Sequence, residues 1–316
     1  MTSVSQKFIT LKFSGCGHLL PYHLGVSSVF LEHGSKLYYN GKSGKKRSIP
    51  RIKSVSGSSS GAIAAVCYAR LPHRVEEFAE RFISDRGHAL QTLQTMLHQE
   101  ENSLNMDNGP STSPIIAKGK YEAPPSLHIA TTKCVDGSHY LFHFSGCVNQ
   151  YSSISSAWTT DKILDAVKAS CTIPQSFHPA DIIFKSQNIS YSVHEGIIID
   201  GEGHVDGGIA APAPRTPYDN VAGACPITVS PISVGESFIF PLKQKKEMRI
   251  SPKDYSWRLL PISNLNCRGD FDVKPSLQNL RALRMASGLV SSKELQDWYD
   301  RGIDDALRIL DDYHDD

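Results

Sequence analysis

Residues 8–15, FITLKFSG, alternate Ile9, Leu11 and Phe13 with Thr10 and Lys12, the period of a strand, and then stop at a Ser-Gly. The next stretch, LLPYHLGVSSVFLEHG over 19–34, changes to helical spacing, so a tight turn joins strand to helix. A polar and basic run from Gly34 to Ser48 reads as a loop. IPRIKSVSG, 49–57, reads as a second strand, and AIAAVCYARL, 62–71, as a helix of strong helix formers without a breaker. Helical spacing resumes in RVEEFAERFIS and runs on to about Gln99. The Ser, Asn, Gly and Pro-rich stretch Glu100–Pro125 predicts a flexible excursion.

Beyond it SLHIATT and HYLFHF predict strands, DKILDAVKAS a helix and GIIID another strand. The last helix puts Leu295, Trp298, Tyr299, Ile303, Ala306, Leu307 and Leu310 on one face, which should dock on the domain. Strands alternating with helices predict an α/β protein: a three-layer α/β/α arrangement around a mostly parallel sheet. We expect one domain over 7–310, with the excursion inserted at about 100–125 and a short acidic tail at 311–316.

Composition narrows the possible functions. With 316 residues and 40% hydrophobic content the chain can bury a sizeable core. Lys plus Arg number 33 against 32 for Asp plus Glu, so no global charge recruits nucleic acid and any membrane contact is local. The start of the chain has no apolar signal core, and the longest apolar run, Ala62–Ala69, is too short to span a bilayer, so a cytoplasmic location is expected. Seven scattered cysteines, with no CxxC pair, read as reduced thiols rather than a metal site.

The candidate chemistry begins in GSSSGA, 57–62. A nucleophile on a strained strand-to-helix turn needs small residues two before and two after it, and among these serines only Ser59, between Gly57 and Gly61, has glycine at both. Ser58 has Ser56 and Ser60 there. The turn SGCGHLLP supplies backbone donors for an oxyanion at Gly15, Cys16 and Gly17, beside the positive end of a helix. A dinucleotide fingerprint fails there, because Leu20 stands where the third glycine belongs. For the base, GHVDGGIAAPAP presents Asp206 before two glycines, with Asp200 as a nearby competitor and His204 two residues away. A Ser, acid, His chain order fits poorly, since only His314 follows Asp206.

GCGHLLPYHLGV, GSSSGA, ASCTIP and DGG occur in the order and spacing of patatin-like phospholipases, which the chain resembles from about Lys7 to Leu310. ACPITVSPISVGE and DRGIDDALRIL are similar to the adipose triglyceride lipase branch. The resemblance implies hydrolysis of glycerolipid acyl esters by a Ser-Asp dyad: Ser59 as nucleophile, Asp206 as base, the Gly15 to Gly17 backbone as oxyanion hole. It implies no metal, no cofactor and no nucleic-acid partner, with peripheral attachment to lipid droplets or membranes and scope for a protein co-activator. His18 and Leu20 replace the family's usual aromatic and glycine, and Pro212-Ala213-Pro214 replaces its Asn-x-Pro. The alternative is therefore a catalytically impaired lipid-surface or regulatory protein of the same fold. Two basic clusters, Lys42, Lys45, Lys46, Arg47, Arg51 and Lys53, and then Lys243, Lys245 and Lys246, read as solvated loops or as contacts for anionic headgroups.

Overall fold

In the computed structural model the described residues are 8–33, 37–39, 46–48, 50–85, 88–106, 124–145, 159–177, 190–233, 248–253, 265–267, 271–274, 276–288 and 290–312. Strand β1 (Phe8–Phe13) leads through a 3-10 turn at Gly17–Leu19 into α1 (Leu20–His33), and β4 (Ile52–Ser58) leads directly into α2 (Ser60–Arg70). Between them β2 (Leu37–Tyr39) and β3 (Lys46–Ser48) pair antiparallel, so the expected loop from Gly34 to Ser48 contains a short hairpin. Alternating side chains are a weak signal over three residues, which is why the pattern did not disclose it.

Helices α3 (Val75–Asp85) and α4 (Ala89–Met106) follow, then β5 (Ser126–Lys133), β6 (His139–Phe144), α5 (Thr160–Ser170), β7 (Ile197–Ile199) and β8 (Glu202–Asp206). Because α4 continues to Met106, the start of the expected excursion at Glu100 is helical; residues 107–123 lie outside the described residues. After β8 come the one-turn α6 (Gly207–Ala210), β9 (Ala224–Val229), β10 (Met248–Ile250), the pair β11 (Leu265–Cys267) and β12 (Phe271–Val273), α7 (Leu277–Ala286) and α8 (Ser292–Asp312). The tail beyond Asp312 lies outside the described residues.

Eight strands form a mixed, mostly parallel sheet in the order β10-β9-β1-β4-β5-β8-β7, with β6 also on β5. From β1 the chain steps through α1 to β4 and through α2 to β5 in one direction. Right-handed crossovers therefore lay α1 and α2 on the same face, where they touch each other. That face is apolar: Ile9, Leu11, Phe13, Val55, Leu127 and Ile129 are all buried beneath the helices. α8 docks on α1 as expected, with Leu295, Trp298, Ala306 and Leu310 buried. The two helices approach closely where Gly25 and Gly302 face the partner backbone, since a Cβ on either would lie 2.1 or 2.2 Å from a carbonyl oxygen of the other helix.

The opposite face is polar although equally buried. Register places Thr10 and Lys12 of β1, Ser54 and Ser56 of β4 and His128 of β5 side by side, each at most 2% exposed. The segment after α6 covers them and supplies acceptors. Thr10 donates to Asp219 at 2.8 Å, Lys12 pairs with the same carboxylate at 3.4 Å, and the Ser56 hydroxyl donates to the Pro214 carbonyl at 3.1 Å. Buried polar groups on a sheet face are tolerable only when partnered, and this segment partners most of them.

Candidate active site

Ser59 lies between the end of β4 and the start of α2 with φ 53° and ψ −132°, one of two non-glycine residues with positive φ among those described. A serine held there is strained, and the surroundings hold it. Its N–H donates to the Ser170 hydroxyl at 2.8 Å, and that hydroxyl donates to the Ala130 carbonyl at 2.6 Å, so α5 and β5 both brace the turn. Gly57 and Gly61 flank it where side chains cannot fit. A Cβ on Gly61 would lie 2.4 Å from the Phe13 carbonyl oxygen.

The neighbouring serines have other partners. Ser58 donates to the Pro212 carbonyl at 2.7 Å, and the Ser60 hydroxyl accepts the Cys16 N–H at 3.0 Å. Ser59 is half-buried, and its side chain lies close enough to Asp206 to act on that carboxyl group.

Strand register brings these two residues together. Ser58 is opposite Ala130 on β5, and Asp206 is opposite Thr131, the next residue. Ala130 and Thr131 also both pair with β6, so β6 fills one side of β5 and β8 takes over the other side where β4 turns away. β4 and β8 thus point at each other along one edge of β5, with Ser59 and Asp206 at their tips. The Asp206 main chain is fixed at both ends: its N–H donates to the Thr172 carbonyl at 2.8 Å and its carbonyl accepts from the Thr132 hydroxyl at 2.7 Å. Its carboxylate caps α6, accepting from the Gly208 N–H at 2.7 Å. Gly207 allows the chain past β5, where a Cβ would lie 2.1 Å from the Ala130 carbonyl oxygen.

Burial pushes the Asp206 carboxyl up to about 6, against the opposing pull of the Ser59 hydroxyl and the Gly208 N–H. A buried carboxylate so raised is a better proton acceptor than a solvated one and is still largely ionised at neutral pH. No histidine is among the groups acting on it. His204 instead shares a hydrogen bond of 3.0 Å with the Thr131 hydroxyl, and burial lowers its pKa. Asp200 and Gly201, both with positive φ, form the two-residue turn joining β7 to β8, so Asp200 is a hairpin residue at the opposite end of β8 from Asp206.

The Gly15–Gly17 turn lies beside Ser59, with a Cβ on Gly15 only 3.3 Å from the Ser59 Cβ. Its donors are not equivalent. The Gly15 N–H bonds the Pro212 carbonyl at 3.0 Å and the Cys16 N–H bonds Ser60, whereas Gly17, exposed and with φ 53°, opens a 3-10 turn and has no intrahelical acceptor for its N–H. The Ser60 N–H, first in α2, is likewise beyond intrahelical reach. His18 bonds the Ala286 carbonyl at 3.2 Å through its ring, and Leu20 is buried in the core. Sequence reasoning missed the Pro212 carbonyl, which accepts from both Gly15 and Ser58, and Ser170, whose only trace was its place in ASCTIP.

A serine at a positive-φ strand-to-helix turn, set beside a buried carboxylate at the end of a mostly parallel sheet, is the arrangement of an elbow-type α/β fold. The patatin-like phospholipase model matches residues 11–218, and the chain belongs to that family, a family of lipid hydrolases. It is similar to human patatin-like phospholipase domain-containing protein 4, with 23% identity over 312 residues that cover 96% of this chain and 97% of that protein. It is also similar to rat patatin-like phospholipase domain-containing protein 2, with 26% identity over 304 residues, 95% of this chain and 50% of the relative, so it spans about half of that protein's length. Among solved structures, VipD from Legionella pneumophila aligns with a TM-score of 0.30 and 13% identity over 74% of this chain and 51% of that one. No described helix is long and apolar enough to cross a membrane.

Proposed function

We propose that the protein hydrolyses fatty-acyl esters of glycerolipids through Ser59 and Asp206. The observation that carries the reading is the register on β5, which sets Ser59, the residue after Ser58 opposite Ala130, beside the buried carboxylate of Asp206 opposite Thr131. As the Ser59 Oγ attacks the acyl carbonyl carbon, Asp206 takes its proton and the carbonyl oxygen gains the negative charge. The N–H groups of Gly17 and Ser60 are the donors left for that oxyanion, while Gly15 and Cys16 shape the turn with their own hydrogen bonds. On collapse, the C–O bond to the glycerol oxygen breaks and Asp206 returns its proton to that oxygen, leaving an acyl-Ser59. Water, deprotonated by Asp206, then attacks the acyl carbon; fatty acid leaves and Ser59 recovers its proton.

Peripheral attachment to a lipid droplet or membrane from the cytoplasm belongs to the same reading, with triacylglycerol and phospholipid as the two substrate candidates. A panel of both lipids, given to wild type, Ser59→Ala and Asp206→Asn, tests it. Fatty-acid release by wild type alone is the expected result, and equal release by Ser59→Ala would overturn the dyad.

One observation favours a second reading. Two of the three N–H groups in the Gly15–Gly17 turn are engaged by protein acceptors, as suits a fold that keeps its shape with reduced catalysis. Wild-type protein inert toward a soluble p-nitrophenyl ester would favour that reading.

A further inference from the structure

The outer face of α7 reverses the usual order of an amphipathic helix. Asn279, Ala282 and Met285 are buried, while Leu277, Leu280 and Leu283 are 41%, 54% and 50% exposed, and Arg281 and Arg284 next to them are exposed as well. Scattered exposed leucines need no explanation, but three at i, i+3 and i+6 on one helix make a continuous stripe.

The exposure does not come from a loosely held helix. Ser276 caps its first turn, and the Asn279 amide donates to the Ser233 and Lys274 carbonyls, each at 2.8 Å, while accepting the Ser233 N–H at 2.9 Å. The underside is pinned, and the leucines are presented.

Charge identifies what covers them. The groove between α7 and α8, about 440 Å³, brings Arg281 and Arg301 together with Asp297 and Glu294, and Arg284 stands on the neighbouring stretch of α7. Three guanidinium groups against two carboxylates leave the patch positive. Leucines interleaved with arginines match the boundary of a lipid layer, where acyl chains lie beneath phosphate headgroups.

Position links the patch to Ser59. The last residue of α7, Ala286, accepts a hydrogen bond from His18 and abuts Gly17, where a Cβ would lie 2.3 Å from its oxygen. On the other side, Ile173, 63% exposed, follows Thr172, whose carbonyl holds the Asp206 N–H.

We propose that the α7 face, Leu277, Leu280 and Leu283 with Arg281 and Arg284, is the docking surface for a lipid layer bearing anionic phosphate headgroups. That docking sets the site against its substrate rests on the proposed hydrolase reading; the docking itself does not.

The test is co-sedimentation of the whole chain with phosphatidylcholine vesicles, with and without phosphatidylserine. Wild type binds the anionic vesicles, and binding falls as salt rises. The pairs Leu280→Glu with Leu283→Glu, and Arg281→Glu with Arg284→Glu, each lower the bound fraction about tenfold or more. The milder pair Leu280→Ser with Leu283→Ser gives the same direction should the glutamate pair fail to fold. All of them keep wild-type turnover of p-nitrophenyl butyrate in solution. Unchanged vesicle binding in every variant overturns the proposal, as does wild type that binds neither vesicle or binds both equally. A wild-type dimer in sedimentation velocity that the leucine variants convert to monomer overturns it in favour of a second copy of the chain. Wild type that binds vesicles but leaves the butyrate ester intact refutes the dyad and leaves the docking surface standing.

Discussion

A Cβ on Gly57 would sit 2.1 Å from the carbonyl oxygen of Gly61, so the residues either side of the Ser59 turn meet backbone to backbone. No rotamer change can relieve a contact with main chain. Gly57→Ala should therefore destabilise the protein by about 3 kcal/mol or more, a fall in melting temperature of roughly 6–12 °C. A thermal scan with no shift would show that the turn has slack that the structure does not.

The three consecutive serines should separate by role. Ser59→Ala removes the proposed nucleophile, a loss of about 10⁶ in turnover by comparison with other serine hydrolases. Ser58→Ala leaves the Pro212 carbonyl still bonded to Gly15 and costs about 1 kcal/mol of stability with most activity kept. Ser60→Ala orphans the Cys16 N–H and should fall between the two. His204→Ala, bonded to Thr131 and not to Asp206, should keep at least about a tenth of wild-type turnover. Labelling of Ser59→Ala by a fluorophosphonate as strong as that of wild type would refute the assignment.

The pH profile reports the proposed base. Asp206 must be ionised to take a proton, and burial raises it to about 6. kcat/KM on a soluble ester should be flat at neutral pH and fall about tenfold per unit below pH 6. A midpoint near pH 4, the ordinary carboxylate value, would mean that Asp206 is not the group titrating.

The same shift bears on stability, with a definite sign. The folded value lies above the unfolded 3.8, so the folded state favours the protonated form. That contribution is complete below the unfolded pKa and is lost as pH rises through about 6. Above this, ionised Asp206 costs up to about 3 kcal/mol. Asp206→Asn should therefore melt above wild type at about pH 8 and converge with it towards about pH 4, while losing activity. Equal denaturant midpoints at both pH values would contradict the burial argument.

How far the sequence discloses the candidate site depends on which groups build it. Ser59 is legible because its glycines are unavoidable, and Asp206 because two glycines follow it. The β1–α1 and β4–α2 units are legible too, since alternation gives way to helical spacing at a Ser-Gly in each. The Pro212 and Pro214 carbonyls are not, because a main-chain acceptor has no residue signature. Ser56 and Ser58 look like composition until β4 is known to alternate them towards that segment. Nor does the pattern show that β8 runs antiparallel to β5 and ends against β4, since three paired residues settle it.

The placement of β4 and β8 end to end on one edge of β5 makes that strand a common ruler. The separation of Ser59 and Asp206 is counted in ladder steps on a single support, Ala130 for one and Thr131 for the other, rather than set by two loops that could drift apart. When helices slide or the sheet flexes, both groups ride on the same strand and their spacing is preserved. A change that slipped either strand by one residue would move it about 3.3 Å and turn its side chain to the other face. Variation can therefore accumulate around the pair at little cost to their alignment, while β5 itself has almost no freedom to change length.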